Sequence, residues 1–366
     1  MSKHKRPGKK RRSSVRTRDW EQNPDADFSH DLSRHRRAQS KLVQHADVED
    51  PLPTDVPPNA VVVSHSRKWA FVKKTDADPH RQPSADDTLL CKIDERLVEE
   101  EESLLAPGDR VFVELEGEDH VVRAIAPRQT SLAKCAGKHG RLERQIIAAN
   151  VDVLVIVAAA TSPPFRPGLV DRFLVVAQQG GVEPVLCLNK IDLVEEEPPE
   201  MRFYRELGIG ICRTSCVTGE GIAALRDKLT GKTSVLAGHS GVGKSSILNT
   251  MDPELKILTQ SLSEATRRGR HTTTLSVLYE LHDDIHIIDT PGLRALGLWN
   301  IEPEEIAFYF PEIAATSMSC KFRNCTHIHE IECAVKEAVE AGSLPRARYE
   351  SYCRLRSDLD AEKRQP

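Results

Sequence analysis

The sequence predicts a chain of three folded parts: a small β-barrel, an α/β domain with a parallel sheet, and a helical module around a cysteine and histidine cluster. Three observations predict this order. Short β-rich runs separated by polar turns occupy Ala60–Ala126. From Asn150 onward, buried apolar runs alternate with helical patterns, which is typical of a parallel sheet. After about Asn300 the pattern becomes helical, and cysteines and histidines fall close together.

Composition excludes several classes of protein. The chain has 366 residues, enough for two or three domains with their own cores. Hydrophobic residues make up 39% and no apolar run reaches the length of a spanning helix, so we expect a cytoplasmic protein with no membrane partner. The basic N-terminus has no apolar stretch behind it and is not expected to be a secretory signal. The nine cysteines are an odd number, and their clustering with histidines favours a reduced compartment over a disulfide framework.

Residues 1–58 are expected to form a disordered tail and linker. Nine lysines and arginines precede Asp19, the first acidic residue. Such a block repels itself unless a polyanion neutralises it. It can therefore be an RNA-contacting arm or a solubilising tail without a partner, and composition alone leaves both open. The proline-rich run EDPLPTDVPPN closes this part of the chain.

Residues 59–130 have the pattern of a small barrel. Five β-rich runs alternate with polar turns here: AVVVSH, WAFVKK, LLCKI, DRVFVEL and HVVRAIA. The stretch APGDRV predicts a turn that leads into a strand. Five short strands in this length predict a small barrel.

The run GHSGVGKSSILN is the strongest motif and predicts a phosphate-binding loop. It fits G-x-x-x-x-G-K-[ST], with a β-rich run before it and a helical pattern after it. Backbone N–H groups wrap the phosphates, Lys244 neutralises the β- and γ-phosphates, and the Ser245 hydroxyl binds Mg²⁺. The residues expected to contact the nucleotide are Gly238, His239, Ser240, Gly241, Val242, Gly243, Lys244, Ser245 and Ser246.

The run IHIIDTPGL predicts a sensor of the γ-phosphate. A buried strand ends at Asp289, whose carboxylate can hold Mg²⁺ through water. The N–H of Gly292 can bond the γ-phosphate, and glycine permits the hinge that releases on hydrolysis. Alone, D-T-P-G is a common turn, so this interpretation depends on the phosphate loop.

The run PVLCLNKIDL predicts which base is bound. Asn189, Lys190, Ile191 and Asp192 form an N-K-x-D motif at a strand end. The Asp192 carboxylate can accept two hydrogen bonds from guanine, whereas adenine has no donors there, and an unpaired buried carboxylate is unfavourable. At the next strand end, Ser215 and Cys216 would lie over the guanine edge. N-K-x-D alone can be a helix-capping turn, but together the three motifs predict a GTPase.

The order of these motifs predicts a circular permutation. In an ordinary GTPase the phosphate loop comes first, then D-x-x-G, then N-K-x-D. Here the guanine motif at Asn189 precedes the loop at Gly238, and Asp289 follows. The same sheet can be built by joining the N- and C-termini of an ordinary GTPase domain and opening the chain at another loop, because domain termini tend to lie close together. The cut falls after the γ-phosphate sensor, which therefore runs directly into the C-terminal module.

The chain resembles the RsgA (YjeQ/YloQ) family over roughly Ala60 to Tyr352. The resemblance rests on the permuted order and on five features: GHSGVGKSS, RRGRHTTT, DTPG, NKID and the later cysteines. The family consists of circularly permuted bacterial GTPases that act late in assembly of the small ribosomal subunit. The resemblance implies an α/β fold with a circularly permuted P-loop GTPase domain (140–300), an N-terminal OB-type β-barrel (59–130) and a C-terminal helical zinc-binding module (301–366).

The cysteine cluster has the spacing of a structural zinc site. Cys320, Cys325, His327 and Cys333 give C-x4-C-x-H-x5-C. Three thiolates and one imidazole complete a closed tetrahedral site without an open position for catalysis. His329 competes with His327 as the imidazole ligand, and the family spacing favours His327.

Hydrolysis needs a group that orients the attacking water. Many GTPases place a glutamine just after D-x-x-G, where this chain has Leu293. His271, in RRGRHTTT, is the polar substitute that the resemblance also indicates, and an exposed loop residue is the alternative. Thr272 or Thr273 would close on Mg²⁺, with Thr273 taken as the ligand. The arginines of this run can meet RNA, clamp charge or face solvent: Arg267, Arg268 and Arg270.

Two classes of function follow. The first is a GTP-hydrolysing assembly factor, stimulated by the small ribosomal subunit, that binds rRNA and leaves after hydrolysis. The alternative is a non-catalytic, GTP-gated RNA-binding module. For either class we expect GTP and GDP as ligands, Mg²⁺ with the nucleotide, one structural Zn²⁺ and a monomer. An ATP-using enzyme is disfavoured by Asp192.

Overall fold

The computed structural model describes residues 57–75, 88–99, 102–138, 141–253, 276–289, 298 and 301–364. Several predicted features lie outside the described residues. They are most of the N-terminal tail, the arginines Arg267, Arg268 and Arg270, the catalytic candidate His271, the threonines Thr272 and Thr273, and Gly292 and Leu293 after the γ-phosphate sensor.

The N-terminal part is a closed barrel of five strands. They are β1 (Ala60–His65), β2 (Trp69–Lys74), β3 (Thr88–Ile93), β6 (Arg110–Glu116) and β7 (Asp119–Ile125). Their order around the barrel is β1-β2-β3-β7-β6, and β3 and β7 run parallel. Alternate side chains point inward and form one apolar cluster, which explains the period-two pattern of the sequence. The predicted N-terminal barrel is therefore confirmed.

Two antiparallel hairpins accompany the barrel. The short one pairs β4 (Val98–Glu99) with β5 (Glu102–Ser103) after a 3₁₀ turn at Glu95–Leu97. The long one pairs β8 (Ser131–Lys138) with β9 (Arg141–Ala149) and leads into the α/β domain.

The α/β domain contains a six-stranded sheet. The strands are β10 (Val153–Ala159), β11 (Glu183–Asn189), β12 (Gly210–Thr214), β13 (Thr233–Ala237), β14 (Val277–Leu281) and β15 (Ile285–Asp289). Their order across the sheet is β12-β11-β10-β13-β15-β14. Five strands are parallel and the edge strand β14 is antiparallel to its neighbour. The helices are α1 (Pro167–Gly180), α2 (Glu200–Glu206), α3 (Ile222–Leu229) and α4 (Lys244–Met251).

The central strand β10 explains why the sheet has two buried faces. Its sequence VLVIVAA is apolar at every position, and all seven residues are buried. Its side chains fall alternately into two apolar clusters, one on each face of the sheet. Uninterrupted apolar strands of this kind are typical of parallel sheets covered by helices on both sides.

The connectivity creates a switch point beside β10. The chain builds outward from β10 through β11 to β12, returns to β13 on the other side of β10, and continues to β15. In open α/β sheets, ligands bind outside the carboxyl ends of the strands at such a point. The guanine motif follows β11 and the phosphate loop follows β13, so both predicted motifs lie at this edge of the sheet.

The C-terminal part is helical, as predicted. It contains a 3₁₀ turn at Ile306–Tyr309 and the helices α5 (Pro311–Ser317), α6 (Ala334–Glu340) and α7 (Arg346–Arg364). Its apolar residues belong to the same cluster as α1, so it shares a core with one face of the α/β domain. Across the described ranges, no helix is both long enough and apolar enough to cross a membrane.

A buried ion network joins the C-terminal part to the α/β domain. Nη1 of Arg348 donates to Oδ1 of Asp171 on α1 at 2.7 Å, and its Nε donates to Oε1 of Glu312 on α5 at 2.8 Å. The hydroxyl of Tyr204 donates to the same Asp171 oxygen at 2.8 Å. The guanidinium also lies 4.3 Å from the ring centroid of Phe310. One arginine of α7 thus contacts both α1 and the N-terminal end of α5.

Candidate nucleotide-binding site

The phosphate loop connects β13 to α4, and two of its glycines are required by close packing. Gly238 has φ 150° and Gly243 has φ 101°, both in the region that favours glycine. A Cβ on Gly238 would overlap the carbonyl oxygen of Val157, and a Cβ on Gly243 would overlap Nδ2 of Asn189. The loop is therefore pressed against β10 on one side and against the guanine motif on the other.

The side chain of Lys244 lies across the phosphate loop. Its Nζ donates to the carbonyl of Gly238 at 2.8 Å and to the carbonyl of His239 at 3.0 Å. Lys244 is also the first residue of α4, so its ammonium group and the positive end of the helix dipole both lie beside the phosphate loop. Free N–H groups at a helix N-terminus and a lysine are both favourable to bound phosphate.

The guanine motif is hydrogen-bonded to the phosphate loop. Nδ2 of Asn189 donates to the carbonyl of Val242 at 2.9 Å, and Oδ1 of Asn189 accepts from Oγ1 of Thr214 at 3.2 Å. Asn189 and Thr214 are both buried. The asparagine amide is thereby fixed between the phosphate loop and the end of β12. Lys190 and Ile191 continue the motif, with Lys190 in a left-handed conformation at φ 64°.

Asp192 differs from Asn189 in being exposed. Within the described ranges, no hydrogen bond or ion pair engages its carboxylate. An exposed carboxylate at this position can accept two donors from a base without first breaking a bond within the protein.

The loop after β12 is shaped by Ser215. Its buried hydroxyl accepts from the N–H of Val217 at 3.2 Å and from the N–H of Thr218 at 3.1 Å. The thiol of the half-buried Cys216 lies 3.8 Å from Oδ1 of Asn189. The serine side chain therefore holds the turn, while Cys216 brings this loop against the guanine motif.

Asp289 ends β15, as the sequence predicts. Desolvation raises the pKa of its carboxyl, and the nearby Lys244 ammonium opposes that shift. Ser245 and Ser246 lie in the first turn of α4, and both are exposed. A hydroxyl and a carboxylate are oxygen ligands of the kind that Mg²⁺ prefers, so Ser245 and Asp289 fit that ion. The other predicted ligand, Thr273, lies outside the described residues.

The second candidate site is the cysteine and histidine cluster. One ligand atom from each of Cys320, Cys325, His327 and Cys333 lies within 4.8 Å of the others. Nδ1 of His327 is 3.5 Å from Sγ of Cys320 and 3.4 Å from Sγ of Cys333, and the two sulfurs are 3.9 Å apart. Around a tetrahedral zinc ion, two sulfur ligands stand about 3.8 Å apart and a sulfur and a nitrogen about 3.5 Å apart, given Zn–S near 2.3 Å and Zn–N near 2.0 Å. The four residues therefore fit zinc.

The choice between the two histidines is a matter of loop conformation. His327 is buried and adopts a left-handed conformation at φ 63°, whereas His329 lies outside the cluster. The hydroxyl of Tyr349 donates to the carbonyl of His327 at 2.7 Å, and that of Tyr352 donates to the carbonyl of Thr326 at 2.9 Å. Helix α7 thus holds the loop that carries His327 in place through two hydrogen bonds.

Sequence reasoning missed three of these supporting residues. Thr214 precedes the Ser215 loop and had no motif to mark it. Tyr349 and Tyr352 are three residues apart on α7, a spacing that puts them on one helix face. That spacing is ordinary for a core-facing stripe, so it did not indicate a role beside the cysteine cluster.

Comparisons with known proteins agree with this geometry. A family model described as RsgA GTPase matches residues 125–299. The small ribosomal subunit biogenesis GTPase RsgA of Gemmatimonas aurantiaca is 42% identical over 260 residues, covering 70% of this chain and 84% of that protein. The protein of the same name from Saccharophagus degradans is 40% identical over 313 residues, covering 82% and 87% respectively.

Two solved structures have the same fold. The crystal structure of YjeQ from Thermotoga maritima is similar with a TM-score of 0.61 at 31% identity, covering 83% of this chain and 99% of that one. The structure of YloQ, described as a circularly permuted GTPase, has a TM-score of 0.59 at 28% identity, covering 85% and 97% respectively. The predicted permutation of the domain is therefore confirmed.

Proposed function

The chain belongs to the RsgA GTPase family, and on that premise we propose that it hydrolyses GTP during late maturation of the small ribosomal subunit. It binds the rRNA of that subunit, leaves after hydrolysis, and works in the cytoplasm as a monomer. One observation carries the proposal: the hydrogen bond from the Asn189 amide to the Val242 carbonyl. It joins a base-reading motif to a phosphate loop, as a guanine nucleotide requires.

Base selection rests on Asp192. Its exposed carboxylate accepts the N1–H and the exocyclic amine of guanine, and Asn189, Lys190 and Ile191 place it. Ser215 and Cys216 border the same pocket. Adenine offers no donors at this position, so binding ATP would leave the carboxylate unpaired, which is unfavourable once the base has excluded water.

The phosphates are bound by the loop from Gly238 to Ser246. Its N–H groups and the helix N-terminus face the anion, and Lys244 exchanges its carbonyl partners for phosphate oxygens. The expected ligands of magnesium are Ser245 and Thr273, with Asp289 acting through water. Magnesium, when bound, neutralises charge on the β- and γ-phosphates.

Two residues outside the described ranges complete the proposal. His271 orients the attacking water, because Leu293 has no group that can do so. The N–H of Gly292 bonds the γ-phosphate and releases it on hydrolysis. Zinc, held by the Cys320–Cys333 cluster, stabilises the C-terminal module that follows this sensor.

The test is single-turnover GTP hydrolysis with and without purified small ribosomal subunits. We expect subunits to stimulate hydrolysis by the wild-type chain. The D192N variant should lose GTP affinity on the order of a hundredfold, since a charged acceptor is replaced by a donor, and should gain affinity for xanthosine nucleotides. E195Q, an exposed acid on the same loop, is the matched control.

Three results would count against this proposal. GTP binding without hydrolysis in either condition would favour the non-catalytic, GTP-gated module. Equal GTP affinity in D192N and E195Q would remove Asp192 from base selection. Unchanged subunit-stimulated turnover in H271A would remove His271 from the mechanism.

A further inference from the structure

A second group of metal-ligating side chains lies at the edge of the α/β sheet. Glu280 on β14, Asp284 in the following turn and His286 on β15 each present one ligand atom, and these atoms lie within 4.8 Å of one another. In the sequence they form E-x3-D-x-H. None of the three belongs to the nucleotide site or to the cysteine cluster. The nucleotide motif of β15 is at its carboxyl end, whereas His286 is near its start.

The strand register brings the imidazole and the two carboxylates together. Glu280 and His286 are directly paired across the antiparallel strands β14 and β15. The Cβ atoms of such partners stand about 4.5–5.5 Å apart on one face of a sheet. Nε2 of His286 is 3.9 Å from Oε1 of Glu280 and 3.9 Å from Oδ1 of Asp284. One ring nitrogen therefore lies near an oxygen of each carboxylate.

Backbone hydrogen bonds fix two of the three residues from the loop before β13. The N–H of Gly231 donates to the carbonyl of Asp284 at 3.0 Å. The N–H of His286 donates to the carbonyl of Lys232 at 3.1 Å. Because the backbone on both sides of the turn is held, binding an ion orders little more than the side chains, which lowers the cost of binding.

The third carboxylate is oriented by a lysine of the barrel. Lys73 on β2 forms an ion pair with Oε2 of Glu280, whereas Oε1 of Glu280 is the oxygen near His286. Carboxylates that bind metal ions are typically held by a hydrogen bond to their other oxygen in this way. The two carboxylates carry two negative charges against the one charge of Lys73, so the group favours a cation.

The ligand types and separations fit a divalent transition-metal ion. An imidazole suits zinc and similar ions, whereas Mg²⁺ and Ca²⁺ prefer oxygen ligands alone. With bonds near 2.1 Å, the ligand atoms of tetrahedral zinc stand about 3.4 Å apart, so each separation of 3.9 Å must close by about 0.5 Å. The Asp284 side chain is 74% exposed and has room for that movement.

We propose that Glu280, Asp284 and His286 bind one divalent transition-metal cation of the zinc type, with water completing its coordination. Three protein ligands leave a position open, as in other zinc sites with three ligands. The site has no thiolate and is partly exposed, so it is weaker than the cysteine cluster. The chain therefore keeps one zinc after dialysis and binds a second when zinc is added. This ion ties the edge strand β14 to β15, and the site does not depend on GTP hydrolysis.

The test is titration of the full-length, GDP-bound chain with Zn²⁺ against a chromophoric zinc indicator. The cysteine cluster is filled beforehand, and excess Mg²⁺ keeps the nucleotide site filled. The wild type should bind one further equivalent of zinc. H286Q should weaken this second site at least about a hundredfold, since losing even a group that supports a ligand costs about 10- to 100-fold. E280Q and D284N should weaken it too. H282Q removes an exposed histidine of the same turn and is the matched control.

Hydrogen exchange locates the added ion. A ligand that binds the folded state slows local opening, so the second equivalent should slow exchange of residues 277–289 in the wild type and in H282Q. It should leave exchange of those residues unchanged in H286Q. GDP affinity should be the same in all of these variants, which shows that the α/β domain remains folded.

The proposal fails on either of two results. The first is a wild-type chain that binds no zinc beyond the cysteine cluster. The second is equal affinity for the added zinc in H286Q and H282Q, which would assign that ion to other exposed groups. Neither result bears on the proposed GTP hydrolysis, which is measured separately.

Discussion

Replacing Arg348 by methionine should loosen the C-terminal module selectively. The arginine side chain is 4% exposed and its partner Asp171 is fully buried. R348M keeps most of the length of the side chain but leaves the carboxylates of Asp171 and Glu312 without their cation. Breaking a buried pair by removing one partner typically costs about 3–5 kcal/mol. Burial already raises the pKa of Asp171 and the Arg348 charge opposes it, so protonation of the carboxyl will relieve part of that cost.

Hydrogen exchange measures this loss where it occurs. At about 1.4 kcal/mol per factor of ten, a loss of about 3 kcal/mol makes exchange on the order of a hundredfold faster. We expect that increase in helix α7 and in α5, with the strands of the central sheet much less affected. R354M makes the same change at an exposed position of the same helix and should exchange like the wild type. Equal exchange of α7 in R348M and R354M would refute the reasoning.

Three further outcomes are expected. G243A should lower GDP affinity at least about tenfold in a titration with a fluorescent nucleotide, because the added Cβ overlaps the Asn189 side chain of the guanine motif. The control is G208A, at a glycine that also has a positive φ but has open space around it, and it should leave GDP affinity unchanged. Burial raises the pKa of Cys187 to about 12, so this thiol should resist alkylation at about pH 8, and folding stability should decrease above about pH 9 as the unfolded thiol ionises first. Metal analysis should find one zinc per chain in the wild type, and its absence there would refute the site. C320S should lose the zinc and show faster hydrogen exchange of residues 320–333, whereas the control C353S should keep it.

Much of the site could be predicted because its chemistry is local in the sequence. The phosphate loop, the guanine motif and the cysteine cluster each lie within fourteen residues or fewer, so spacing alone indicates which groups converge. The permuted order of the motifs also predicted which strand ends would meet. The boundaries of the three parts, and the roles of His271, Gly292 and Thr273, stay predictions.

The rest depends on contacts between distant residues. Arg348 and Asp171 are 177 positions apart, and nothing near either residue in the sequence indicates that the two meet. The same is true of Thr214 and Asn189, which meet because β12 lies beside β11. A pattern of apolar residues predicts that helices cover a sheet, but the side chains that lock one part to another are set by the final packing.

The position of β10 at the centre of the sheet has a consequence for folding during synthesis. Of the strands in this sheet, β10, β11 and β12 leave the ribosome first and can pair with one another, but the other edge of β10 has no partner until β13 is made. At about 5–20 residues per second, the intervening chain takes on the order of ten seconds to emerge. During that interval a wholly apolar strand presents an open edge, the type of surface that pairs with other chains. A nascent chain of this topology is therefore exposed to aggregation through β10 during that interval. In the unpermuted order the strands would be made in a different sequence, so a different strand edge would be open.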